Sequence, residues 1–133
     1  EGRRMAGKRT LAVVTADATV PRDVAEPLTR GGFAVRPHRL ADPVVPPDTA
    51  AVLVLVDSQP EVAAAFTRRC RAGAPSPRPL LWLFAADAVA GAPTGFDAGA
   101  DVCLVRPVDP DVLVSQVNAL FRTYGELGRV SVK

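Results

Sequence analysis

Aromatic side chains are scarce in this sequence, which carries five Phe, one Trp and one Tyr in 133 residues. Valine, leucine and alanine must therefore fill any core. Lysine is nearly missing: Lys8 and Lys133 stand alone, and arginine supplies the other positive charges. The net charge is only +2 and the two signs are interspersed, so there is no basic stripe of the kind that follows a phosphate backbone. A nucleic-acid-binding role is not expected, and the arginine, alanine and proline usage reads as coding bias. Cysteine occurs twice, as Cys70 and Cys103, without CxxC or Cys/His spacing. A metal site built on thiolates is thereby excluded, and a reduced pair is expected. No apolar run approaches the roughly 20 residues of a membrane span, and no secretory signal is visible. These absences favour a cytoplasmic domain without membrane contact. The length fits one domain large enough to bury a core.

Residues 1–8 read as a lead-in: Glu1-Gly2-Arg3-Arg4 looks like a protease-site remnant from an expression vector, with Met5 as the native start. The domain proper is expected over 9–124, and 125–133 as an extension or linker. Leu11–Val14 reads as a buried strand. Val20–Arg30 reads as a helix, with Pro21 suited to its first turn, Pro27 ill placed, and Gly31-Gly32 ending it. Phe33–Arg36 is a second strand. Pro43, Pro46 and Pro47 exclude a regular helix from the connection that follows.

Ala51–Val56 is the most apolar run and should be the central strand, ending at Asp57-Ser58-Gln59-Pro60. Glu61–Ala72 is expected as a helix with Val62, Ala65, Phe66 and Cys70 on one face. Leu80–Phe84 and Val102–Val105 are two further strands. Between them, Gly91, Pro93 and Gly95 weaken any helix within Ala85–Ala100. The last helix is the best supported: Asp109 caps it, Pro110 opens it, and Leu113, Val117, Leu120, Phe121 and Tyr124 form its apolar stripe. The helix can run on past Gly125 and Gly128. Five strands alternating with helical or irregular connections predict a parallel sheet covered on both faces, with sites beyond the carboxyl ends of the strands.

The residues at those ends carry a family resemblance. Gly95-Phe-Asp-Ala-Gly-Ala-Asp101-Val-Cys-Leu-Val-Arg-Pro-Val-Asp-Pro-Asp-Val-Leu113, the run Val52–Asp57 and the stretch Arg30–Val35 resemble the corresponding segments of response-regulator receiver domains, the CheY-like superfamily. The likeness covers about Leu11 to Arg122. It implies an α/β flavodoxin-like three-layer sandwich with a five-stranded parallel sheet in the order 2-1-3-4-5, its second and fourth connections being irregular here.

The resemblance also implies a phosphoacceptor, Asp57, with Arg106, Asp17 and Thr15 as partners around the phosphoryl group. Several family residues are replaced. Thr15 and Ala16 stand where an acidic pair binds Mg²⁺, Phe84 where a hydroxyl reads the phosphoryl, Arg106 where a lysine pairs with it, and Cys103 where an aromatic reports the switch. Arginine is forked and bulkier than lysine, so that exchange is not conservative. No metal or other cofactor is expected. Asp17, Asp57 and Gln59 are the oxygen donors an Mg²⁺ could use.

The reading that follows is an atypical, non-enzymatic receiver domain of two-component phosphorelay signalling, acting as an interaction module without phosphorylation. Its partner would be a protein or an attached histidine kinase or output domain. One alternative is a working phosphoacceptor at Asp57 with non-standard Mg²⁺ ligation; another is a small-ligand-binding flavodoxin-like domain. Ser58 has no base nearby to make it a nucleophile, His38 is read as a solvated loop residue, Trp82 as a core or half-buried residue, and Tyr124 as closing the last helix.

Overall fold

Strands buried on both faces are apolar at every position, and Leu11–Val14, Ala51–Val56 and Leu80–Phe84 have that character. The computed structural model describes residues 8–42, 44–57, 59–73, 78–85 and 91–132, the last seven of these and Gly73 as backbone. Strands β1 (Thr10–Thr15), β2 (Ala34–Arg39), β3 (Ala51–Val56), β4 (Leu80–Phe84) and β5 (Val102–Val105) form one sheet in the order β2-β1-β3-β4-β5. All pairings are parallel, with Leu11 opposite Val35 and Ala51, Val54 opposite Trp82, and Trp82 opposite Cys103.

Because successive side chains alternate across a strand, the same strands feed two cores. Leu11, Val13, Leu53, Leu55, Leu81 and Leu83 face helices α1 (Arg22–Arg30) and α4 (Pro110–Val132), which contribute Val24, Leu28, Leu113 and Val117. Ala12, Val14, Val54, Val56, Trp82 and Phe84 face α2 (Pro60–Gly73) and α3 (Ala92–Ala98). The result is the three-layer flavodoxin-like sandwich. The connection from β2 to β3 holds no helix among its described residues; Val45 reaches the core from it, with Leu40 packed against the same cluster.

Several boundaries differ from the sequence expectation. Helix α1 begins at Arg22, with Pro21 as its extended cap residue, and it keeps the buried Pro27 within its nine residues. β2 runs on through Pro37 and His38 to Arg39. It lies at the edge of the sheet, where a missing backbone donor is tolerated. His38 is consequently no solvated loop residue. It is 7% exposed, its Nε2 lies 2.9 Å from the Asp42 carbonyl, and its ring tilts against Phe66.

The inner face of α2 is formed by Ala63, Ala64, Phe66, Thr67 and Cys70, whereas Val62 and Ala65 point outward. The reason is a buried polar pair. Trp82 Nε1 donates to Thr67 Oγ1 at 2.9 Å, and that hydroxyl donates to the Ala63 carbonyl. A buried donor needs a partner, so Thr67 turns inward and sets the rotation of the helix. Helix α3 survives as seven residues because Gly95 lies against the indole: a Cβ there would sit 2.7 Å from Trp82 Cε3.

At the amino ends of the strands, Asp101 Oδ2 accepts three hydrogen bonds, from Arg71 at 2.9 Å, the Leu80 amide at 2.9 Å and the Tyr124 hydroxyl at 2.8 Å. Arg71 also donates to the carbonyls of Gly99 and Arg78. This knot ties α2, β4, β5 and α4 together, so Tyr124 does more than close its helix. Helix α4 runs uninterrupted across the expected 124/125 boundary. Residues 1–7, Pro43, Ser58, 74–77, 86–90 and Lys133 lie outside the described residues, and with them the readings of Met5, of Ser58 and of the first part of the fourth connection.

Candidate functional site

Backbone hydrogen bonds carry the strand ladder past the formal ends of the strands. Leu40 N donates to Thr15 O at 2.8 Å, Ala85 N to Val56 O at 3.0 Å, and Arg106 N to Phe84 O at 2.7 Å. Thr15, Asp57, Ala85 and Arg106 are thereby brought to one edge of the sheet, as a parallel α/β topology requires. Asp57 is exposed at the end of β3, beside an open pocket of about 250 Å³. Leu55, Val56 and Ala63 form its buried floor, Leu40 one wall, and Asp57, Gln59 and Ala16 its solvent side.

The remaining site residues turn away from Asp57. Asp17 folds back on its own loop, accepting from the Thr19 amide at 3.1 Å and the Thr15 hydroxyl at 3.4 Å. The Thr19 amide, above all, holds the Asp17 carboxyl below the usual carboxylate range. Ala18, which follows it, adopts a left-handed φ of 63°, a conformation that β-carbons disfavour. Arg106, expected beside the phosphoryl group on Asp57, is engaged elsewhere. Its guanidinium reaches across to Asp23 in α1, at 3.3 and 3.4 Å from the two carboxylate oxygens, and its Nε is buried without a partner among the described residues. Phe84 is fully buried and packs edge-on against Trp82. The thiol of Cys103 lies 3.9 Å from the Ala92 carbonyl, and burial pushes its pKa up to about 11.

This arrangement fits a divalent cation poorly. Mg²⁺ takes oxygen ligands in near-octahedral geometry. Ala16 offers no side-chain oxygen, the Asp17 carboxylate is engaged by Thr15 and Thr19, and only Asp57 and Gln59 remain at the pocket. Among the described residues, no group of three or more His, Cys, Asp or Glu could hold a metal ion. Sequence reasoning missed Asp23, Leu40 and Ala63 at this end of the sheet. Asp23 stands 83 residues from Arg106, and nothing local announces that pairing.

The chain matches no protein-family profile and no curated protein sequence. Solved structures do resemble it. A response regulator from Thermotoga maritima superposes with a TM-score of 0.62 at 20% identity, over 85% of this chain and 97% of that one. A Chloroflexus aurantiacus protein described as a response regulator gives 0.61 at 26% identity, over 85% and 97%. Full-length FixJ from B. japonicum gives 0.71 at 20% identity; the match spans 92% of this chain and 62% of FixJ. The fold is that of response-regulator receivers. No helix among the described residues is long and apolar enough to cross a membrane.

Proposed function

We propose that this chain, whose fold and structural neighbours are those of response-regulator receivers, is a two-component signalling module that works through protein contact instead of an aspartyl phosphate. The observation carrying this reading is the dispersal of the chemistry around Asp57. Phosphoryl transfer depends on positioning and charge neutralisation. Here Arg106 is held by Asp23, Asp17 by its own loop, and Phe84 fills the place where the resemblance calls for a hydroxyl. An incoming phosphoryl group would meet Asp57 with no cation beside it.

A receiver of this kind regulates and does not catalyse. Its partner would be a kinase or an output domain, either attached or separate, and cytoplasmic. The reading is tested by incubating the chain with acetyl phosphate, with and without Mg²⁺, and measuring intact mass. The expected result is an unchanged mass under both conditions. An Mg²⁺-dependent gain of one phosphoryl, mapped to Asp57 and absent from Asp57→Asn, would instead establish a phosphoacceptor in which Asp17 leaves its loop to serve the metal.

A further inference from the structure

We propose that the pocket beside Asp57 receives a basic side chain, arginine or lysine, presented by a protein partner. This rests on the phosphate-independent reading above and names what would occupy its site. Asp57 is an exposed carboxylate that makes no hydrogen bond or ion pair with any other described residue. Arg106, the cation that the resemblance places at this site, is committed to Asp23.

Beside that carboxylate the side chains of Leu40, Val56 and Ala63 give the pocket apolar walls and floor, with the Gln59 amide at the rim. A long basic side chain matches this division, since its methylene stem lies on apolar surface while its charged head stays near water. The volume, about 250 Å³, falls below the roughly 300–1,000 Å³ of small-molecule sites and suits a single side chain.

The surroundings favour a protein as the source of that side chain. Val44, in the same connection as Leu40, is 70% exposed, and Val62, next to Ala63 in α2, is 44% exposed. Neither lines the pocket itself; their exposed apolar surface would meet residues flanking the inserted cation. The opposing sign at Asp57 supplies specificity and steering more than raw affinity.

The test uses the full chain and amide chemical shifts, with n-butylguanidinium as the first probe and a capped Leu-Arg-Leu peptide as the second. Butylguanidinium should shift Leu40, Asp57, Gln59 and Ala63 saturably, in the millimolar range. Asp57→Asn should weaken it at least fivefold. So should Ala16→Leu, which fills the pocket from an exposed position and leaves the charge in place. The peptide should bind at least threefold more tightly, a gain lost in Val62→Ser.

Equal shifts with n-butanol, or binding indifferent to Asp57→Asn, overturn the cation site. Equal affinity of peptide and butylguanidinium overturns the protein partner in favour of a small cation. These outcomes are read on untreated protein, so they stand apart from the acetyl phosphate result: a phosphorylated Asp57 would refute the phosphate-independent reading whatever the probes do.

Discussion

Tyr124 shows how one side chain can be read two ways. In sequence it is the last member of an apolar stripe; in the structure its hydroxyl donates to Asp101 and helps fix α4 to the sheet. Burial, then the bond to Asp101, raises its pKa above the ordinary 10. A group whose folded pKa is raised contributes stability below its unfolded value and loses it as pH rises through the folded one. It is the sole tyrosine, so the tyrosinate absorbance titration should show one transition with a midpoint above 10. Tyr124→Phe should lower stability at neutral pH by about 1 kcal/mol, the usual net contribution of a hydrogen bond. It should also flatten the loss of stability above pH 10, both read from urea midpoints across pH. Cys103 acts in the same direction between 9 and about 11, since burial raises its thiol too. What hid these roles is that stripe periodicity registers hydrophobicity and not the partner of a hydroxyl. His38 is the same case: its burial follows from β2 running three residues further than its apolar residues suggest.

At the scale of elements, two glycines in helices make opposite predictions. Gly95 is pressed on Trp82, so Gly95→Ala forces the backbone or the indole to move. Overpacking of this kind costs about 1–3 kcal/mol, and the emission of the sole tryptophan should shift with it. Gly125 lies in α4 with nothing within 4 Å of a added Cβ. Gly125→Ala should therefore stabilise by roughly 0.5–1 kcal/mol, through the chain entropy that glycine loses in a helix. Urea denaturation of the two variants checks both signs. The elements themselves were largely legible. Runs such as Leu80–Phe84 leave no alternative to a buried strand, and the prolines of 43–47 argued against a helix that the described residues do not form. The rotation of α2 was not legible, because it is set by Trp82 and Thr67, fifteen residues apart. Val62 looked like a core residue only while that pairing was unknown.

For the whole molecule, the strand order followed from the βα alternation and the resemblance, and with it the set of residues at the carboxyl end of the sheet. The pairings within that set did not follow. Arg106 chose Asp23 over Asp57 through a contact between α1 and the loop after β5, which only the folded chain creates. The two ends of the sheet are consequently built differently. Apart from the Arg106–Asp23 pair, the side-chain bonds of the loops at the carboxyl end are short-range, such as Thr19 and Val44 donating to Asp17 and Asp42. The amino end is closed by the Asp101 knot, where the Leu80 amide donates to the carboxylate and the Asp101 amide to the Leu80 carbonyl at 2.8 Å. In hydrogen exchange, local opening follows such differences. The Leu80 amide, although first in its strand, should exchange with the slow central amides of β3, while Thr19 and Val44 exchange early. Asp101→Asn should move Leu80 into the faster class and leave the centre of β3 slow. The sheet would then breathe from both ends, where the native chain is expected to open first at the one that carries Asp57.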